Sequence, residues 1–181
     1  GEVKSMREET GTSVQAEVCA WKDIAGQYLT FELGEEPYGL QILKVQEIIG
    51  MTSVTRVPRM PDFVRGVINL RGKVIPVIDL RSRFSLESQE QTERTCIIVV
   101  QIGASGHQVT LGIIVDQVSE VVDIGPDQIE PSPDFGTHVD TTFILGMGKV
   151  GERVIMLLDL DRVLSGDELS LVRQSAGDVS D

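Results

Sequence analysis

The stretch from Val64 to Leu80, VRGVINLRGKVIPVIDL, decides the fold of this chain. Two runs of apolar, mostly β-branched residues lie on either side of Arg71–Gly72–Lys73, and such runs favour strands. Gly72 supplies the positive φ that a tight reversal between two strands requires. The stretch therefore predicts a β-hairpin.

The two faces of the first strand of this hairpin differ in polarity. Side chains alternate along a strand, so Ile68 and Leu70 share one face, and Asn69 and Arg71 share the other. Ile68 and Leu70 are therefore predicted to be buried. Pro76 has no N–H to donate to a neighbouring strand, so the second strand is predicted to be an edge at that point.

Several motifs in and around the hairpin also occur, in the same order, in the sequences of one protein family. They are NLRG at 69–72, VIPVIDL at 74–80, YGLQILKVQEI at 38–48 and PDFVRG at 61–66. Together they resemble the CheW family of chemotaxis coupling proteins, over a span from about residue 27 to residue 165. Several motifs at consistent spacing identify a family far more specifically than a single motif of four residues does.

The resemblance implies a fold, a function and a set of partners. The implied fold is mainly all-β, with two Src-homology-3-like five-stranded barrels packed together, in tandem or intertwined. The implied function is that of a non-catalytic adaptor between the cytoplasmic tips of chemoreceptors and the regulatory domain of the histidine kinase CheA. Other copies of the chain, in array rings, are a third expected partner. The implied location is the cytoplasm, at membrane-bound receptor arrays, without insertion into the membrane.

The bulk composition is that of an ordinary globular protein. The 181 residues are 41% hydrophobic and 24% charged, and only 4% are aromatic, so the core is predicted to be aliphatic. No apolar run reaches the roughly 18 residues that a membrane helix needs. The first residues lack the apolar segment of a secretory signal. Cys19 and Cys96 are the two cysteines, far apart in sequence, which fits a reducing cytoplasm.

Charge is distributed unevenly along the chain, whose net charge is −12. Residues 56–83 carry seven basic and two acidic side chains, whereas residues 84–164 carry four basic and thirteen acidic ones. This polarity predicts that one end of the molecule contacts an acidic surface and the other a basic one. The alternative function is a small-barrel nucleic-acid-binding protein that uses the basic segment 56–83, although it lacks the interleaved aromatic residues that stack on bases.

Short elements are predicted on both sides of the hairpin. Residues 28–33 form a strand by their alternating pattern. Residues 42–49 form either a helix or a single turn followed by a strand, and residues 54–57 a further short strand. Residues 80–85 form a helical turn that Asp79 caps.

The chain repeats itself at a spacing of 72 to 80 residues. The matching pairs are Val45–Ile48 with Val118–Val121, Pro61–Phe63 with Pro133–Phe135, and Ile78–Leu80 with Leu158–Leu160. Two copies of one small β domain explain such a repeat. The predicted division is a flexible tail at 1–26, a first subdomain at 27–85, a connector at 86–94, a second subdomain at 95–165 and a flexible acidic tail at 166–181.

No residue pattern in the sequence predicts an active site. Gly146–Gly151 matches the dinucleotide pattern G-x-G-x-x-G, but a buried strand follows where the pattern needs a helix, so the glycines are predicted to form a hairpin turn. His107 and His138 have no second ligand at metal-binding spacing. The sequence thus predicts neither a cofactor nor a metal, and a chain that is not an enzyme.

Receptor binding is predicted to use a groove that accepts a helix through apolar anchors. The candidate residues are Val45, Ile48, Gly66, Asn69, Arg71 and Val118. Gly66 would let the helix backbone approach closely, and Arg71 would either bond the receptor or hold the shape of the groove. Composition alone favours an exposed, solvated Arg71, and the family resemblance favours a functional one.

Kinase binding is predicted to use two other residues, Glu47 and Phe135. Phe135 ends a proline-rich turn, where an aromatic side chain has little local core to enter. It is therefore expected to contact a neighbouring kinase or adaptor barrel, as the lateral contacts of the family imply.

Overall fold

The computed structural model describes residues 24–84, 86, 91–102, 108–131 and 143–163. Several predictions fall outside these residues. They concern most of the N-terminal tail with Cys19, the whole C-terminal tail, both histidines, the repeat motif Pro133–Phe135, and hence the kinase contact of Phe135.

The described residues form eleven strands and two short helices. The strands are β1 Gly26–Leu33, β2 Glu36–Gln41, β3 Val45–Gly50, β4 Val64–Leu70, β5 Lys73–Asp79, β6 Cys96–Ile102, β7 Val109–Val115, β8 Gln117–Ile124, β9 Ile129–Glu130, β10 Ile144–Val150 and β11 Arg153–Leu158. The helices are α1 Leu80–Arg83 and α2 Leu160–Val163, and short 3₁₀ turns span Ile42–Lys44 and Pro126–Gln128. The predicted mainly β fold is confirmed.

The strands form two sheets, and each sheet takes strands from both halves of the chain. The six-stranded sheet has the order β8-β1-β2-β11-β10-β9, and the five-stranded sheet has the order β3-β6-β7-β5-β4. The β1–β2 hairpin thus sits among strands from the second half, and the β6–β7 hairpin among strands from the first. The two halves are intertwined by this exchange of hairpins, although the exact subdomain boundaries stay a prediction.

The β4–β5 hairpin forms as predicted, with a turn of two residues. The strands are antiparallel and Leu70 pairs with Lys73 across the turn. Arg71 and Gly72 have φ of 51° and 87°, which is the type I′ geometry favoured in hairpins. The Asn69 side chain accepts a hydrogen bond from the Gly72 N–H at 2.8 Å, so it fixes the turn that carries Arg71.

The two faces of β4 are as predicted, with one qualification. Ile68 is buried, but Leu70 is only half-buried because it lies at the end of the strand, next to the turn. The edge prediction at Pro76 holds only locally. β5 is an internal strand between β4 and β7, and its pairing with β7 begins at Val77, one residue after Pro76.

Three other local predictions are now settled. Residues 42–49 form a 3₁₀ turn and then β3, which is the second of the two alternatives. The strand predicted at 54–57 is wrong, since Thr55 makes only an isolated bridge to Val67. The hairpin-turn prediction for the glycine motif is right for Gly151, with φ of 61°, but Gly146 and Gly148 lie inside β10.

Aspartate side chains cap both short helices, and the cap by Asp79 is the one that the sequence predicts. Asp79 caps α1, and its carboxylate accepts a hydrogen bond from the Arg81 N–H at 3.0 Å. Asp159 accepts one from the Asp161 N–H at 3.1 Å. Burial, and next the repulsion from Asp161, raises the pKa of Asp159 above its ordinary value. Asp159 thus caps α2 as Asp79 caps α1.

The core has three parts because successive residues of a strand face opposite sides of a sheet. In β6, Ile98 and Val100 enter a large central core, whereas Ile97 and Val99 enter a smaller core within the five-stranded sheet. Tyr28 and Leu157 belong to a third core within the six-stranded sheet. The central core therefore holds two curved sheets together.

The internal repeat is visible in matching backbone contacts. The Asp79 N–H donates to the Phe63 carbonyl at 2.8 Å, and the Asp159 N–H donates to the Phe143 carbonyl at 2.7 Å. Phe143 thus makes, before the second helix, the backbone contact that Phe63 makes before the first. The match of Pro61–Phe63 with Pro133–Phe135 stays a prediction, because Pro133–Phe135 lies outside the described residues.

Candidate functional site

The two edges of the five-stranded sheet approach each other beside the β4–β5 turn. Thr55, which follows β3, forms two backbone hydrogen bonds of 2.8 Å with Val67 of β4. These bonds fold the β3 side of the sheet onto its other edge. The sheet therefore curls, without forming a continuous closed barrel of strands.

Arg71 and Glu47 join the same two edges through their side chains. Arg71 Nη2 donates to both Glu47 carboxylate oxygens, at 2.7 and 2.8 Å. The Arg71 side chain is 73% exposed and that of Glu47 27% exposed. A pair this exposed stabilises the fold by only about 0.2–1 kcal/mol. The pair unites a predicted receptor residue with a predicted kinase residue in one surface feature.

Gly66 has an internal role that sequence reasoning missed. Its φ is 142°, and a Cβ at this position would lie 2.0 Å from the Thr55 carbonyl oxygen. Gly66 is also buried. The backbone that approaches Gly66 closely is that of the chain's own Thr55, and a receptor contact at Gly66 stays a prediction.

The three apolar receptor candidates occupy different places. Ile48 of β3 is 45% exposed, whereas Val45 is half-buried against the central core. Val118 is also half-buried there, but it belongs to β8, the edge strand of the other sheet. Glu47, Ile48 and Arg71 are thus the candidates on the surface of the five-stranded sheet, with Asn69 at the base of the turn. Binding by any of them stays a prediction.

Several basic side chains of the segment 56–83 have partners within the molecule. Arg65 lies 3.7 Å from Asp79, and Arg71 is paired with Glu47. Arg83 stacks on Phe63 and Phe143, with its guanidinium carbon 5.0 and 4.7 Å from the ring centroids. Basic side chains that already contact acidic or aromatic groups of the same chain are poorly placed to bind phosphates. The geometry therefore does not favour the nucleic-acid-binding alternative.

A further ion pair, between Arg81 and Asp116, was not singled out by sequence. Arg81 Nε donates to Asp116 Oδ1 at 2.8 Å, Arg81 Nη2 donates to Oδ2, and the Gly34 N–H donates to Oδ2 at 2.7 Å. Burial tends to raise the pKa of Asp116, but these hydrogen bonds outweigh it and hold the pKa below its ordinary value. The pair links α1 to the residue that precedes β8, and so ties the two sheets together.

A counterpart of this ion pair exists with the charges exchanged. Lys44 Nζ lies 3.2 Å from Asp161 Oδ2, and Asp161 follows Arg81 by the 80-residue spacing of the two helices. Lys44 precedes β3, as Asp116 precedes β8. The spacing of the repeat, applied to charged residues, is the signal that could have found both pairs.

The described residues hold little chemistry beyond these pairs. Within 24–84, 86, 91–102, 108–131 and 143–163, no three His, Cys, Asp or Glu side chains are grouped so as to hold a metal ion. Burial raises the pKa of the Cys96 thiol, which lowers its reactivity at neutral pH. Over the same ranges, no helix has the length and apolar character to cross a membrane.

Comparisons with known proteins give a consistent result. A family model described as "CheW-like domain" matches residues 27–168. The chemotaxis protein CheW of Klebsiella aerogenes is 42% identical over 153 residues, which cover 84% of this chain and 90% of that protein. The chemotaxis protein CheW of Rhizobium meliloti is 34% identical over 78% of this chain and 89% of its own length. The crystal structure of the scaffolding protein TtCheW from Thermoanaerobacter tengcongensis superposes with a TM-score of 0.70 and 37% identity, over 80% of this chain and 96% of that one.

Proposed function

The chain belongs to the CheW-like family of chemotaxis scaffold proteins, and on that premise we propose that it is a non-catalytic adaptor between chemoreceptors and the histidine kinase CheA. It acts in the cytoplasm, at receptor arrays. Its partners are the helical receptor tips, the regulatory domain of the kinase and other copies of itself.

The exposed Arg71–Glu47 pair is the observation that supports this proposal most directly. Arg71 is 73% exposed and is held by both Glu47 carboxylate oxygens. A guanidinium fixed in this way presents its remaining N–H donors to a partner, which suits polar recognition of a helix. Ile48 follows Glu47 in β3 and exposes a large apolar side chain on the opposite face of the sheet. The pair contributes little to stability, so its placement on the surface is better explained by recognition.

Receptor binding tests this proposal through two single variants and a double variant. Arg71→Ala and Glu47→Ala are each expected to weaken binding to a purified receptor cytoplasmic fragment about tenfold, because each removes a charge-assisted contact or the geometry that supports it. The unfolding free energy should fall by less than about 1 kcal/mol in either variant.

The double variant R71E/E47R separates the two roles of Arg71. If Arg71 and Glu47 act only by shaping the surface, the reversed pair restores receptor binding. If Arg71 bonds the receptor directly, the reversed pair does not restore it. Receptor affinity that stays unchanged in both alanine variants would contradict a receptor role for the pair and leave Arg71 as a solvated surface charge.

The kinase contact is tested separately at Phe135, which lies outside the described residues. Phe135→Ser should impair assembly of receptor–kinase arrays while receptor binding in solution is retained. Normal array assembly by this variant would contradict the proposed kinase role of Phe135.

A further inference from the structure

The last described stretch of the chain ends beside the loop that joins β3 to β4. This stretch ends at Val163 of α2, whose carbonyl accepts a hydrogen bond of 2.7 Å from Arg83 Nε. The guanidinium carbon of the same Arg83 lies 5.0 Å from the ring centroid of Phe63, the residue that precedes β4. One arginine side chain thus contacts both Val163 and the end of the β3–β4 loop, so the segment that follows Val163 starts next to this loop.

The β3–β4 loop exposes two arginines whose charges are not compensated. The bridge between Thr55 and Val67 anchors the loop to β4 through two hydrogen bonds of 2.8 Å. Arg56 and Arg59 are both exposed. Among the residues that the structure describes, no carboxylate, including that of Asp62 in the same loop, lies within ion-pair distance of either arginine. The loop therefore presents two basic groups that are available to an acidic partner.

The backbone conformation of Arg59 is one that arginine seldom adopts. Its φ is 63°, in the left-handed region where residues other than glycine are uncommon. It follows Pro58, and a proline followed by a residue of positive φ is the pattern of a type II turn, which favours glycine or asparagine at the second of these positions. The turn itself therefore does not explain an arginine here, which points to a use of its charge.

The segment after Val163 carries the opposite charge. Residues 164–181 include one basic side chain and four acidic ones, which are Arg173 and Asp167, Glu168, Asp178 and Asp181. Asp167 lies four residues beyond Val163, and Arg59 lies four residues before Phe63. Four residues of extended chain span up to about 13–14 Å, so the two charges can meet from neighbouring starting points.

We propose that the segment 164–181 folds back onto the β3–β4 loop, where the carboxylates of Asp167 and Glu168 pair with Arg56 and Arg59. The acidic surface that this basic part of the chain contacts is then supplied by the chain itself. Each exposed pair is weak alone, but the short tether keeps the charges at a high effective concentration. The contact covers the loop reversibly and is lost when salt screens the charges. It is independent of the proposed receptor and kinase contacts.

The test compares two pairs of charge-neutralising substitutions in the full chain. D167N/E168Q removes the two acids nearest to Val163, and D178N/D181N, the matched control, removes the same charge from the far part of the segment. Amide chemical shifts of both variants are measured by NMR. We expect D167N/E168Q to shift the amides of Arg56 and Arg59, and D178N/D181N to leave them unchanged. Loop amides that do not move in D167N/E168Q, or that move equally in the control, would overturn the proposal.

The reciprocal variants change the loop. R56Q/R59Q is expected to shift the amides of Asp167 and Glu168, whereas K73Q/R153Q, which neutralises two exposed bases at the hairpin turns, is not. In 1 M salt, where the Debye length is about 3 Å, the wild-type chain and R56Q/R59Q should give the same shifts for these two acids. A shift caused by K73Q/R153Q in place of R56Q/R59Q would locate the acids elsewhere and overturn the proposal.

A nitroxide spin label distinguishes contact within one chain from contact between two. It is attached to Ser170→Cys in a chain whose Cys19 and Cys96 are replaced by serine and alanine. We expect it to broaden the amides of the two loop arginines in its own chain, and to broaden them less when D167N/E168Q is added. Folding of each variant is verified from its amide spectrum.

The outcome for two chains is measured in an equimolar mixture. One chain carries the nitroxide, and the other is isotope-labelled and carries none. We expect no broadening of the loop amides in the isotope-labelled chain. Broadening there would assign the loop to the acidic segment of a second copy and overturn the proposal of a contact within one chain.

Discussion

At the scale of single residues, the aromatic side chains carry more of the architecture than their number suggests. Phe31, Tyr38, Phe84 and Phe143 stack in sequence, with ring centroids 5.3 to 5.9 Å apart. Arg83 extends this series by lying between Phe143 and Phe63, the two residues with matching backbone contacts. A guanidinium between these two rings occupies the place where the two halves of the chain meet, and no sequence pattern predicts such a contact.

Tyr28 provides a pH-dependent test at the same scale. It is fully buried and its hydroxyl donates to the Ile24 carbonyl. Burial, only partly offset by a hydrogen bond with Gln41, raises the pKa of Tyr28 from 10.0 to about 12. Because the unfolded chain then loses this proton first, stability is unaffected below pH 10 and falls as the pH rises from 10 towards 12.

The expected measurement is a tyrosinate absorbance titration. The chain has two tyrosines, so Tyr28→Phe should remove one of two components, the one that titrates near pH 12. A Tyr28 hydroxyl that ionises at its ordinary pKa in the folded chain would contradict the buried position.

At the scale of elements, sequence patterns correctly predicted those features that depend on contacts between residues close together in the chain. The β4–β5 hairpin, its turn at Gly72 and the cap by Asp79 depend on residues within a few positions of each other. The strand predicted at 54–57 failed because Thr55 is held by Val67, twelve residues later, and not by a pattern of its own. The ion pairs Arg71–Glu47 and Arg81–Asp116 join residues 24 and 35 positions apart, and no local pattern encodes such distances.

The two faces of β4 lead to a prediction about its apolar residues. Ile68→Ala should lower the unfolding free energy by about 2–5 kcal/mol, because it leaves a cavity in the core of the five-stranded sheet. Leu70→Ala should cost less than about 2 kcal/mol, since Leu70 is half-buried and water can fill the space. Denaturant titration of both variants measures the difference, and equal losses would mean that the hairpin end is more enclosed than the structure has it.

At the scale of the whole molecule, the two sheets are held by charge pairs of unequal burial. The side chains of Arg81 and Asp116 are 9% and 30% exposed, whereas those of Lys44 and Asp161 are 34% and 36% exposed. Arg81→Met should therefore cost about 3–5 kcal/mol, because it leaves the Asp116 carboxylate without its partner in a largely enclosed place. Lys44→Met, the matched control at the equivalent contact, should cost less than about 1 kcal/mol.

Acid provides an independent test of the Arg81 prediction. The pKa of Asp116 is lowered in the folded chain, so the pair stabilises the fold above the ordinary carboxyl pKa and loses this effect as the pH falls through the lowered value. The difference in stability between the wild-type chain and Arg81→Met should thus narrow below about pH 4. A difference that stays constant with pH would contradict an ionic contribution.

The exchange of hairpins also governs how the protein is made. β1 and β2 leave the ribosome first, yet their outer neighbours are β8 and β11, and the last of these ends at Leu158. At about 5–20 residues per second, the first hairpin waits roughly 4–17 s for β8 and roughly 6–23 s for β11. During that interval a second nascent chain on the same message offers the same missing strands. Closely spaced ribosomes on one message therefore favour strand pairing between two chains over strand pairing within one chain. A chaperone that shields the first hairpin would raise the yield of monomer.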